Sequence, residues 1–326
     1  MGRATVNRVV QVGVEVTKGT GVSANKLLPT MNLQLSRTID VQQFRAQGFK
    51  LPTAAPIVHD FGGGTLDGPM NFTEIVYPLS TIVDPVITTP GGATLARKWL
   101  FTALATGANA FKTLTIQEGD STAALQMVYC LLTEFGVNYS DSGATISGTV
   151  LGRTPTTASL SSTPATIAQL PGTARGVDVY MDAIGGTIGT TKVASAKVAT
   201  FNVSNLQAPN WVLNTTYQSF IDTVEVVPTI GGMFGMEFDA QARALYDAVI
   251  AASNPVKLIR LLITGPLIEG STYYTLKVDF AAQVIGTVST DYDGVYGYEF
   301  TLLPQYNSTY GNKAFEIELI TTLTAL

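Results

Sequence analysis

Val10-Gln11-Val12-Gly13-Val14-Glu15-Val16 alternates apolar and polar residues with a period of two, the pattern of a β-strand with one face buried and the other in water. The alternation recurs in Asn32-Leu33-Gln34-Leu35, Lys112-Thr113-Leu114-Thr115-Ile116, Thr223-Val224-Glu225-Val226 and Thr275-Leu276-Lys277-Val278-Asp279-Phe280. Abundant Thr, Val and Ile suit a pleated surface, because a branched Cβ is stiff and packs well there. The expected fold is mainly β.

One stretch departs from this period. From Asp239 to Ser253, the residues Ala242, Leu245, Val249 and Ala252 share one helical face. Asp239 is placed to cap the first amides, and Asn254-Pro255 ends the run.

Composition narrows the class. Only 13% of the 326 residues are charged, about half the usual share, while 46% are hydrophobic. A surface so poor in charge needs covering. No apolar run approaches the roughly 18 residues of a spanning helix, so a membrane is not the expected cover. The first residues, Met1 to Arg8, have no continuous apolar core of a signal peptide, and a cytoplasmic site of assembly is expected. The Asn-x-Ser/Thr triplets at Asn71, Asn138, Asn202, Asn214 and Asn307 then carry no meaning.

Catalytic and metal chemistry finds little support. Cys130 is the single cysteine and lies among apolar neighbours, which reads as a buried thiol. His59 is the single histidine and reads as a loop or strand-edge residue. Gly19-Thr20-Gly21-Val22-Ser23-Ala24 fits a loose dinucleotide pattern, but Leu27-Leu28-Pro29 follows where a helix is required. Gly185 to Lys192 reads as a turn and Asp291-Tyr292-Asp293-Gly294 as a hairpin tip, lacking a calcium loop's further ligands. Glu15, Glu118, Asp120, Asp178, Asp182, Glu316 and Glu318 form no recognisable acid-base constellation. The expectation is no enzyme, no cofactor and no metal. A net charge of −5 is the opposite of a nucleic-acid footprint, yet it suits DNA that passes without sticking.

The chain divides near its middle. Thr154 to Gly176 carries Pro155, Pro164 and Pro171 among Ser, Thr and Ala, and reads as a linker or extended loop. It separates a first β domain, 1–160, from a second, 177–326, with the linker proper at 161–176. Both halves place a strand before a long loop, then a Gly-rich apolar segment (Gly68 to Glu74; Gly232 to Phe238), then further strands. Both end on a strand pair, turning at Ser140-Asp141-Ser142-Gly143 and Asp291-Tyr292-Asp293-Gly294. Tandem duplication is expected, with an insertion between Asp84 and Ala110; chance similarity of pattern is the alternative.

Val12-Gly13-Val14-Glu15-Val16-Thr17-Lys18-Gly19-Thr20-Gly21 through Leu28 resembles the N-terminal signature of tail tube proteins of long, non-contractile-tailed phages, with Lys18 in place of the usual proline. Phe44 to Thr53, Gly68 to Leu79, Gly148 to Arg153 and Asp239 to Ala248 are also similar to that family, so the resemblance covers most of the chain. The segment around Pro78, a proline-interrupted helix, departs from it.

The resemblance implies tandem β-sandwich or barrel domains, each with a flanking short α-helix, related in fold to type VI secretion tubes. Subunits of that family form rings whose inner strands join into one barrel, and the rings stack into a conduit for DNA ejection. Single-domain members make hexamers, so two tube-fold halves imply a trimeric, pseudo-hexameric ring; a hexamer of one tube domain plus a decorating domain is the runner-up. Implied partners are further copies of the chain, a tape-measure protein and tail terminator or baseplate proteins, in the virion tail, with no membrane. The loops Gln42 to Gly68 and Leu206 to Val224 are expected between rings, with Phe49, Trp211 and Tyr217 as contact candidates. Another virion ring or decoration protein, or a carbohydrate-binding β-sandwich using Trp211 and Tyr217, remains an alternative.

Overall fold

The computed structural model describes residues 7–173, 176–212, 219–253 and 256–326. β1 (Val9–Val14) and β2 (Lys26–Leu27) precede a long hairpin, β3 (Asn32–Val41) and β4 (Ile57–Pro69). A short helix, α1 (Val76–Ser80), leads to β5 (Val86–Thr88), β6 (Arg97–Leu104) and β7 (Leu114–Gly119). β8 (Ala124–Ser140) and β9 (Gly143–Arg153) form a hairpin, followed by β10 (Thr156–Ala158) and β11 (Ala165–Thr166). The second half runs through β12 (Val177–Ala183), β13 (Ala196–Ser204), β14 (Gln207–Asn210), β15 (Asp222–Glu225) and β16 (Thr229–Glu237). α2 (Ala240–Ile250) then leads to β17 (Val256–Glu269), β18 (Thr272–Tyr292), β19 (Val295–Pro304) and β20 (Lys313–Thr321).

The fold is mainly β, as the alternation predicts. β8 and β18 organise it, because each is long enough to serve two layers. The first part of β8 pairs with β7 and β10, and its last part pairs with β9 and β13. Likewise the first part of β18 pairs with β17 and β20, and its last part pairs with β19. A bulge between Leu132 and Glu134 bends β8 against β9, and one between Val284 and Gly286 bends β18 against β19 at the matching register.

One pairing scheme therefore occurs twice. β3 pairs with β4, β4 with β9 and β9 with β8; β13 pairs with β16, β16 with β19 and β19 with β18. The β8–β13 pairing joins the two groups into a continuous sheet, ordered β3-β4-β9-β8-β13-β16-β19-β18. Beneath it lie β1, β7 and the start of β8 in one half, and β12, β17 and the start of β18 in the other. The space between the layers is filled by one contiguous core that includes Leu33, Leu66, Phe135, Phe201, Phe280, Phe300 and Ile317. Burying a side chain as large as Phe201 contributes about 2 kcal/mol.

The halves also interlock. The insertion between Asp84 and Ala110 contains β5 and β6, and β6 pairs with β20 of the second half, Phe101 lying opposite Ile317. The Thr154–Gly176 stretch is extended but tied down over its described residues. β11 runs parallel to β2, Ile167 is buried, and Phe72 donates its amide to Leu170 at 3.2 Å.

The loop expected from Gln42 to Gly68 ends sooner, since β4 occupies Ile57–Pro69. Gly62-Gly63-Gly64 hides this strand by erasing the alternation. The glycines are required by close approach: a Cβ at Gly62 would stand 2.3 Å from the Met127 sulfur, and one at Gly64 would stand 2.5 Å from the Gln34 carbonyl. Similarly, part of Leu206–Val224 is the two-stranded ribbon β14–β15, in which Ala208 faces Val224.

The α2 helix forms as its sequence requires. Asp239 Oδ1 accepts from the Ala242 amide at 2.8 Å, and Ser195 Oγ donates to Asp239 Oδ2 at 2.7 Å. Ala242 and Leu245 are buried, Val249 packs partly against the core, and the helix stops at Ile250 before a positive φ at Ala252. The expected stop signal Asn254-Pro255 lies outside the described residues.

Candidate assembly surfaces

The continuous sheet has two different faces. Along β3 the side chains of Leu33 and Leu35 turn to the core, and those of Asn32, Gln34, Ser36, Thr38 and Asp40 turn away. The registers carry this outer face across the sheet through Asp67 and Thr65 of β4, Ser147 and Thr149 of β9, and Glu134 and Asn138 of β8. It continues through Thr200 and Asn202 of β13, Met233 and Glu237 of β16, Glu299 and Thr301 of β19, and Val288 and Thr290 of β18. Apart from Met233 and Val288, these positions carry hydroxyls, amides and carboxylates. Its cations are engaged: Lys197 lies 2.6 Å from Glu237, while Arg153 donates to the Ile221 carbonyl at 2.7 Å.

The two ends of this sheet are open. Among the described residues, β3 pairs with a strand only through β4, and the last part of β18 only through β19. One edge amide of β3, that of Leu35, reaches the Glu118 carboxylate at 3.4 Å, and Glu118 is itself ion-paired with Arg8. An unpaired strand edge is a template for another strand. Exposed apolar residues accompany both ends: Ile39, Val41, Ile57 and Val58 at one, and Val288, Tyr296 and Phe238 at the other. The aromatics at the second end cluster, with Phe238 centred 5.4 Å from Tyr296 and 5.3 Å from Tyr298, and Tyr246 of α2 5.0 Å from Tyr298.

The internal junction shows how such an end is covered. Phe135 faces Val203, Val137 faces Phe201 and Tyr139 faces Ala199, with all six side chains buried. The β14–β15 ribbon of the second half folds over this junction onto the first half. Phe220 meets the Tyr129 ring edge-on at 5.3 Å, and Trp211 lies 5.7 Å from Phe61 and 4.0 Å from the His59 ring. Arg153 donates to the Phe220 and Ile221 carbonyls, and Asn109 donates its amide and side chain to Glu225 at 2.8 and 2.6 Å.

Tyr129 is the strained point under this ribbon, with a φ of 57° in the region that disfavours a large side chain. It is held from three sides. Its amide donates to Glu15 at 2.9 Å, its hydroxyl donates to Asp222, and Arg153 lies over its ring. Burial, then the Asp222 contact, pushes the Tyr129 phenol up to about 12. The same hydrogen bond, acting against burial, holds the Asp222 carboxyl below its ordinary value.

The expected contact residues have different fates. Phe49 is exposed on the chain linking β3 to β4. Trp211, expected between rings, packs against His59, Phe61 and Phe220 of its own chain and is half-buried there. Tyr217 lies outside the described residues. Asp239 is the cap. Phe61, Tyr129 and Phe220, which build the junction, escaped the sequence because they come from three distant segments with no shared period.

The scattered carboxylates serve as structural anchors. Glu15 is buried and accepts from the Gly19 amide, the Thr113 and Thr115 hydroxyls and the Tyr129 amide. Burial pushes Asp182 up, but the amides of Thr190, Thr191 and Gly189 outweigh it and hold the carboxyl below its ordinary value. Lys192 sits 2.5 Å from Asp178, and Glu318 is paired with Lys277 and Lys98. Cys130 is fully buried among apolar neighbours. Among the described residues no group of three or more His, Cys, Asp or Glu is placed to hold a metal ion, and no helix is long and apolar enough to cross a membrane.

No protein-family model matches the chain, and no curated protein matches it.

Proposed function

We propose that the protein is a structural subunit that closes into three-copy rings and stacks into a hollow tube, a tail conduit for DNA ejection in a phage virion. The observation that carries this reading is the junction between β8 and β13. It joins two copies of one pairing scheme edge to edge, and the same edges stand open at β18 and β3.

Repeating the internal junction between copies fixes a register. The matching hairpin turns, Ser140 opposite Gly143 and Tyr292 opposite Val295, make Thr290 the counterpart of Asn138. The matching ladders make Gln34 the counterpart of Thr200. Since Asn138 faces Thr200 within the chain, Thr290 of one copy faces Gln34 of the next. Three copies then close a barrel of about 24 strands. With strands ~4.8 Å apart and tilted by about 40°, that barrel is about 50 Å across its backbone, wider than a DNA duplex.

The polar face lines the lumen in this arrangement. Carboxylates at Asp40, Asp67, Glu134, Glu237 and Glu299 repel a polyanion, while hydroxyls and amides keep the wall wet. Among the described residues no row of free Lys or Arg crosses this face, so there is no release of condensed counterions to hold DNA in place. The charge-poor surface is explained too, because ring closure and stacking bury what a lone copy exposes. The partners are further copies of the chain, with a tape-measure protein and terminator or baseplate proteins at the ends. The protein acts by shape and charge and performs no catalysis.

Electron microscopy of the purified protein while it is concentrated or warmed, with light-scattering mass, tests this. Hollow tubes built of three-copy rings are expected. Closed rings that never stack favour a terminator or decoration protein, and a persistent monomer contradicts the proposal.

A further inference from the structure

Two loops occupy the same place in the two halves, yet only one has something to rest on. The chain from 205 to 228 links β13 to β16 and carries the ribbon that covers Tyr129, Leu131 and Leu151 of the first half. The chain from 42 to 56 links β3 to β4. It is a preformed arm: Phe44 donates its amide to Ala54 at 2.8 Å, Thr53 donates its amide to Phe44 at 2.8 Å, and the Ala46 amide reaches Thr53 Oγ1 at 3.2 Å. Its apolar side chains are nevertheless bare, Phe49 being 62% and Leu51 75% exposed.

A matching bare surface lies on the second half. The coincident turns and bulges make Leu303 of β19 the counterpart of Leu151, and Ile285 of β18 the counterpart of Thr133. Tyr306 follows β19 where Thr154 follows β9. Leu151 is buried under the ribbon, whereas Leu303, Ile285 and Tyr306 are 46%, 43% and 58% exposed. Apolar patches left open on two counterpart surfaces mark a contact.

We infer that the 42–56 arm of one copy clasps β18 and β19 of the neighbouring copy in the same ring, resting on Ile285, Leu303 and Tyr306. This rests on the ring reading above and places Phe49 beside the strand junction instead of between stacked rings. The geometry follows from the chain itself. Pairing β13 with β8 carries the ribbon over the first half, so pairing β3 with β18 of another copy carries the arm over that copy's second half. Leu303 alternates with Glu299 and Thr301, so the clasp lies over one end of the polar face, as the ribbon does over Leu151.

The test compares ring closure by mass photometry, and stacking by electron microscopy, for the full chain and two variants. One is Phe49→Asp with Leu51→Asp, the other Leu303→Asp. All these side chains are exposed, and matching thermal melts establish that the variants fold. Each variant is expected to need at least tenfold more protein to close rings. Combining Phe49→Asp with Leu303→Lys restores closure. Variants that close rings at the wild-type concentration overturn the clasp, and if those rings no longer stack, the arm is an axial contact. A wild-type protein that never closes rings removes the ring reading itself, an outcome distinct from unchanged rings in the variants.

Discussion

Val137 of β8 lies opposite Phe201 of β13, and both side chains sit in one core. This pairing is a contact between the two halves of the chain and at the same time a strand joint in the middle of a continuous sheet. A chain that already contains one such joint, and leaves both outer edges of the sheet open, carries the pattern for the next joint.

That pattern predicts a covalent trap. In rings, Gln34→Cys and Thr290→Cys in the same chain bring thiols together across the joint, because opposed residues in an antiparallel pair have Cα atoms about 4.5 to 5.5 Å apart, within disulfide range. Oxidation is expected to give covalent oligomers up to three chains on a non-reducing gel. The native Cys130 is fully buried and does not compete. Monomers only, from oxidised rings, contradict the register.

Glu15 is the anchor of the first half. Its carboxylate gathers donors from the loop at Gly19, from Thr113 and Thr115, and from the strained Tyr129 amide. Glu15→Ala leaves these donors unmet and is expected to cost about 3 kcal/mol in chemical denaturation. Glu15→Gln keeps one oxygen and costs less. An unchanged midpoint for the alanine variant refutes the role.

Glu269, at the tip of the β17–β18 hairpin, holds the turn before β6. Hydrogen bonds from the Ala96 and Thr94 amides, with those of the Thr94 hydroxyl and Leu95 amide, outweigh desolvation and depress its carboxyl from 4.5 to about 2. A group depressed in the folded state stabilises fully above its unfolded value, so the hold is complete above pH 4.5 and fades as pH falls toward 2. Amide exchange at Thr94, Leu95 and Ala96, corrected for intrinsic rates, is therefore expected to stay protected at pH 6 and to quicken below pH 4. Glu269→Gln should show the faster exchange at both values.

The polar sheet face predicts a gain of function. Asp67→Lys, Glu134→Lys and Glu299→Lys together turn its carboxylates into cations without touching the core. Tubes of this variant are expected to retain duplex DNA at low salt and release it as salt rises, with a slope that grows with the number of phosphates met. Wild-type tubes should not. Equal retention by both means that these positions do not face the passage.

Much of the fold was legible because burial on one face writes itself as alternation. Alternation marks β1, β3, β7 and β18, and helical spacing with Asp239 marks α2. β4 was lost where Gly62-Gly63-Gly64 removed the side chains that make a period visible. The junction is out of reach for a different reason: Tyr129, Phe61 and Phe220 come from three distant segments, and no local pattern records their meeting. The open edges could be named only once strand partners were known, since an edge strand and a central strand alternate alike.

The most direct measurement is a cryo-EM reconstruction of the protein after concentration, at a resolution that separates strands. Three copies per ring, with β18 of each continuing into β3 of the next and Thr290 beside Gln34, is the predicted result. A ring of another number, or an oligomer in which those two edges remain unpaired, contradicts the account.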